Sequence, residues 1–117
     1  MDSEAIEDLF APAARVSVRR MFGGKGIFVE GVMVGLEADG VLYLKADEST
    51  AAAFEAEGCE PFVYGEGGKR VIITSYRRMP EGAFEDPDEL RRWYAMARDA
   101  AFRTAREKKP RRRKAAP

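Results

Sequence analysis

The stretch from Arg19 to Ala46 constrains the fold more than any other part of the chain. Runs rich in β-branched and aromatic residues, Lys25 to Glu30, Val32 to Ala38 and Val41 to Ala46, are separated there by glycine-bearing turns. That is how an antiparallel meander is written. Asp39-Gly40 is its clearest signal, because a two-residue type I′ turn needs positive φ at both central positions and glycine adopts it freely.

The flanking segments extend the pattern. Ile6, Leu9, Phe10 and Ala13 fall at i, i+3, i+4, i+7, with Asp2 or Ser3 placed to cap, so a short amphipathic helix opens the chain and Pro12 closes it. Arg15 to Met21 alternates and reads as a strand. After the meander, Asp47 to Thr50 offers an acidic helix start, Ala51-Ala52-Ala53-Phe54 supplies helix formers and Gly58 a stop. Phe62-Val63-Tyr64 and Val71 to Tyr76 flank a glycine-rich loop and read as a hairpin. Asp86, Pro87 and Glu89 then predict a capping box. Behind it, Leu90, Trp93, Tyr94, Ala97, Ala101 and Ala105 form one apolar stripe, and Asp99 and Arg103 stand at a pairing distance of i, i+4. The order predicts an α+β two-layer domain, residues 1–106, with an antiparallel sheet of five or six strands and the helices on one face.

Composition narrows the chemistry. The chain of 117 residues contains no histidine and one cysteine, Cys59, so the commonest general base, the usual partner of a nucleophile and any intrachain disulfide are missing. No stretch reads as a secretory signal or a membrane span, and the expected location is the cytoplasm. Gly23-Gly24-Lys25-Gly26 and Gly65-Glu66-Gly67-Gly68-Lys69 complete neither phosphate-loop pattern and open no helix, so they read as turns. Cys59, between Glu57 and Glu60, reads as a structural thiol. No cofactor, no metal and no enzymatic activity are expected.

The net charge of zero hides an asymmetry. From Arg103 onward eight basic residues face only Glu107, a balance of +7, and the preceding body is −7. Residues 107–117 contain no large apolar side chain and are expected to form a disordered basic tail. Its Lys108, Lys109, Arg111, Arg112, Arg113 and Lys114 are candidate phosphate contacts, which would make binding sequence-blind and salt-dependent. Two dibasic runs end predicted strands, Arg19-Arg20-Met21-Phe22 and Tyr76-Arg77-Arg78-Met79. Their convergence into one patch is the candidate surface for a protein partner.

At these residues a family resemblance enters. Arg19 to Phe28, Gly31-Val32-Met33, Ala38 to Lys45, Glu60-Pro61-Phe62, Ser75-Tyr76, Met79-Pro80 and Asp86 to Leu90 resemble the N-terminal domain of the TfoX/Sxy family. The resemblance covers about residues 3–105. It implies an α+β fold of the secretion-chaperone kind and a regulator of DNA-uptake competence, working beside a cyclic-AMP-responsive transcription factor without known enzymatic activity. Full-length regulators of that family carry a second, helical domain where this chain ends in its basic tail. The expected partners are therefore a protein of the transcription machinery or an activator, with nucleic acid, held by the tail, as the alternative.

Overall fold

A computed structural model describes residues 1–21 and 23–108. Helix α1 (Ser3–Phe10) leads into a meander of β1 (Ser17–Met21), β2 (Gly24–Val29), β3 (Val32–Ala38) and β4 (Val41–Lys45). Helix α2 (Ala51–Ala56), strands β5 (Pro61–Tyr64) and β6 (Val71–Arg78), and helices α3 (Gly82–Glu85) and α4 (Pro87–Lys108) complete the order. The six strands form one antiparallel sheet in the order β1-β2-β3-β4-β6-β5.

The turns follow from residue type. Asp39 and Gly40 have φ of 52° and 82°, and Glu30 and Gly31 have 52° and 80°. Both pairs carry the positive φ values that let adjacent strands twist correctly. Asp2 caps α1, its Oδ1 accepting from the Ala5 N–H at 2.8 Å. The core lies between the sheet and the helices: Ile27, Val34, Leu42 and Leu44 from the strands meet Ile6, Phe10, Phe54 and Trp93, all of them no more than 2% exposed. Each large side chain withdrawn from water in this way contributes about 1.5–3 kcal/mol. α4 covers β3 and β4 with Leu90, Trp93, Tyr94, Ala97 and Ala101, the stripe the spacing predicts.

Three local expectations are corrected. The capping box does not close: Asp86 accepts from the Asp88 N–H at 2.9 Å, but Glu89 turns forward to the Trp93 indole N–H at 3.3 Å. Satisfying a buried indole outweighs a contact to the Asp86 N–H, which already donates to the Gly82 carbonyl. Arg103 does not pair with Asp99 as its ion-pair partner; its guanidinium reaches Asp47 at 2.7 and 3.1 Å, pinning the end of β4 to α4. Finally, α4 runs to Lys108, so Glu107 and Lys108, expected in the disordered tail, are helical. The rest of the predicted tail, residues 109–117, lies outside the described residues.

Candidate functional site

The face of the sheet turned away from the helices is the candidate site. Strand alternation decides what it carries. Leu42 and Leu44 point into the core, so Tyr43 and Lys45 point outward. Cross-strand partners share a face, and the register aligns Arg19, Gly26, Leu36, Tyr43 and Arg78 as one outward row. Phe28 with Met33, and Lys45 with Tyr76, stand on the same side. Gly26 is buried within this face: a Cβ there would lie 2.5 Å from Met21 Sδ and 2.7 Å from Phe28 Cε1.

Rings and cations alternate on the face. The Arg19 guanidinium lies 4.5 Å from the Phe28 ring centroid, and Lys45 Nζ 5.0 Å from that of Tyr76. Tyr43 meets Phe62 edge-on at 5.0 Å, and Phe62 meets Tyr64 at 6.4 Å. Burial pushes the Tyr76 hydroxyl up to about 12. Burial also pushes the Lys45 ammonium below its ordinary value, with Lys108 adding to the shift and Asp47 opposing it. The end of α4 is thus electrostatically coupled to this side of the sheet.

β6 pairs with β4 through Tyr76–Arg78, and the Ser75 carbonyl accepts from the Ala46 N–H at 2.8 Å just past β4; Val71, Ile72 and Ile73 pair with β5. The resulting hairpin forms one wall of a depression of about 620 Å³, with Phe62, Tyr64 and Ile73 facing Met21, Met33 and Leu36. Asp39 and Glu66 also line it, while the Lys25–Glu37 pair, 3.6 Å apart, is in register with Leu42 and turns its side chains to the helix side. The hairpin's far side is apolar and open: Val63 and its cross-strand partner Ile72 are 37% and 62% exposed. β5 is an edge strand, so one side of its backbone is unpaired by the sheet.

The two dibasic runs are not brought together. Arg19 and Arg78 share a row but lie four strands apart, about 19 Å at 4.8 Å per strand. Arg19, Met21, Tyr76 and Arg78 belong to the outer face. Arg20, in register with Lys25, takes the other side of the edge strand. Arg77 and Met79 are corrections to the expected contact surface, because alternation beyond Tyr76 sends both toward the helices. Arg77 donates to the Cys59 carbonyl and to Glu55, each at 3.1 Å, and Met79 is 3% exposed in the core. Phe22, Lys109, Arg111, Arg112, Arg113 and Lys114 lie outside the described residues. Cys59 is buried, and burial together with Glu57 pushes its thiol up, away from the nucleophilic thiolate. Among the described residues no three acidic or thiol groups gather as a metal site would require, and no helix is long and apolar enough to cross a membrane.

Residues 8–101 match the family model described as the TfoX N-terminal domain. The chain belongs to this family. A curated relative, the DNA transformation protein TfoX1 of Aliivibrio fischeri, is 46% identical over 60 residues, which is 51% of this chain and 28% of that protein. The chain thus spans little more than a quarter of the length of the relative it matches.

In this TfoX domain the sequence reading singled out the strand ends and passed over Phe28, Met33, Tyr43, Lys45, Phe62 and Tyr64. A signal for them existed. In Val41-Leu42-Tyr43-Leu44-Lys45 the leucines occupy the core phase, so an aromatic ring on the opposite phase marks a face that is neither core nor ordinary polar surface.

Proposed function

We propose that this chain is a non-enzymatic regulatory domain of DNA transformation that acts by protein–protein contact within the transcriptional control of competence. Membership of the TfoX family and the likeness to a protein named for DNA transformation support the process. The observation that carries the contact mechanism is the open end of the β5–β6 hairpin. Val63 and Ile72 are paired across it and exposed, and β5 offers an unpaired edge. An extended segment of a partner adds there as a further strand, its backbone bonding to β5 and its apolar side chains resting on Val63 and Ile72. A component of the transcription machinery or an activator is the partner this reading takes.

The test is genetic and biochemical. A strain lacking the gene is complemented with wild type or with Val63→Asp/Ile72→Asp, and transformation frequency and transcripts of the uptake genes are measured. Both substitutions sit on exposed positions, so the variant folds with an unchanged melting temperature. Wild type restores transformation and the variant does not; full restoration by a folded variant refutes the docking edge.

A further inference from the structure

We propose that the outer sheet face binds single-stranded DNA, with bases stacked on its rings and phosphates held by Arg19, Lys45 and Arg78. This is a second surface, independent of the β5 edge.

The charge distribution points to an anionic ligand. The body preceding Arg103 is −7, yet the outward row Arg19, Gly26, Leu36, Tyr43, Arg78 carries cations and no carboxylate. Among the described residues none of Arg19, Lys45 and Arg78 forms an ion pair with a carboxylate. Asp47, the acid beside Lys45, is held by two hydrogen bonds from Arg103; Asp39 in a turn and Glu66 in the hairpin loop line the depression, while Glu37 is matched by Lys25. They leave the line from Arg19 through Lys45 to Arg78 clear for phosphates. Lys108 adds positive charge beside Lys45, and the sequence after it continues with five more basic residues and no acid.

The rings point to unpaired bases. Three of the four tyrosines, with Phe28 and Phe62, stand on this face, and Tyr64 is 51% exposed. Two of the rings, Phe28 and Tyr76, have a cation lying over them, which holds the phosphate partners on the face and leaves the bases to the uncovered rings, Tyr64 foremost. An open sheet with aromatic rings is a stacking platform for splayed bases, whereas a duplex keeps its bases stacked on each other and presents none to a ring. From β2 to β5 the rings cover about 19 Å, a few nucleotides. Met21, Met33, Leu36 and Ile73, which line the depression together with polar groups such as Asp39 and Glu66, gain nothing from a ribose 2′-hydroxyl, so a sugar resting on them is better without one. This selects DNA over RNA.

The experiment is fluorescence anisotropy of the full chain with a labelled dT20, titrated from 50 to 200 mM salt. Tyr64→Ala weakens binding about tenfold, the loss of one stacked base. Arg19→Gln/Arg78→Gln lowers the slope of log affinity against log salt by about 1.4, at ~0.7 per single-strand phosphate contact. A full-length chain with Lys109, Arg111, Arg112, Arg113 and Lys114 changed to Gln binds more weakly but keeps the sensitivity to Tyr64→Ala. Circular dichroism melts confirm that each variant is folded. No binding at 50 mM salt overturns the proposal and leaves the face to a protein. Loss of all binding on neutralising the tail, with the face variants unchanged, overturns it in favour of tail binding. Equal affinity for a 20-base-pair duplex overturns the stacking, and tighter binding of rU20 overturns the choice of DNA.

Discussion

Gly35 sits in the middle of the central strand pair, between Ile27 on β2 and Leu44 on β4. Its φ is ordinary, so conformational freedom does not require glycine; space does. A Cβ would stand 2.6 Å from the Tyr43 carbonyl oxygen and 3.6 Å from Ile27 Cδ1 and Leu44 Cδ2. The side-chain contacts are normal van der Waals distances, but a carbon–oxygen contact settles at about 3.3 Å. Gly35→Ala therefore forces the backbone of β4 back by about 0.7 Å, in a sheet bonded on both sides of it. Overpacking of this kind costs ~1–3 kcal/mol, offset by ~0.4–1 kcal/mol from a less flexible unfolded chain. The net loss is about 1.5 kcal/mol, which at ~1.5 kcal/mol per molar urea moves the midpoint down by about 1 M. Urea titration followed by the emission of Trp93, the chain's one tryptophan, measures it. Two controls separate the causes. Gly40→Ala has no atom within 4 Å but a φ of 82°, and loses ~1–2 kcal/mol from backbone strain alone. Gly68→Ala has neither obstacle, and its midpoint stays within about 0.5 kcal/mol of wild type. A Gly35→Ala midpoint at or above wild type refutes the steric argument.

Phe54 is fully buried with its ring 4.9 Å from that of Trp93, so Phe54→Ala lowers stability by ~3–5 kcal/mol and red-shifts the tryptophan emission as water reaches the cavity. Arg77→Met strips donors from the Cys59 carbonyl and Glu55 and loses ~1–2 kcal/mol, whereas Arg78→Met, one residue later on the open face, changes stability by no more than ~0.5 kcal/mol in the same urea titration. The hydrogen bonds from Arg103, then its charge and the Ser49 and Thr50 N–H groups, hold the Asp47 carboxyl below its ordinary 3.8 against a smaller effect of burial. A depressed folded pKa gives stability that is complete above 3.8 and disappears as pH falls through the lower folded value. Stability measured at pH 5 and pH 3 therefore drops further for wild type than for Asp47→Asn; equal drops refute the linkage.

Much of the fold was legible because it rests on residues close in sequence. The turn at Asp39-Gly40, the cap at Asp2 and the stripe from Leu90 to Ala101 each depend on neighbours within a few positions, and the structure contains all three. The parts that were not legible depend on distant partners. Nothing near Arg103 signals Asp47, 56 positions away, and Glu89 abandons the capping box because a tertiary contact buries Trp93.

The outer face shows where period-two reading reaches its limit. Ile73 and Tyr76 border the same depression, yet they are three apart, and strict alternation puts them on opposite sides of the strand. The reconciliation is the irregularity opposite Pro61 and Phe62, where β5 pairs Pro61 with Arg77 and then Phe62 with Ile73, skipping three residues of β6. Such an insertion bends the strand and re-aims its side chains. It is what carries Phe62, Tyr64 and Ile73 over to face Met33 and Leu36. Because Val71 to Arg78 contains no glycine or proline to announce the break, the strand looks continuous in sequence, and the aromatic wall it builds becomes visible only once the neighbouring strands fix its register.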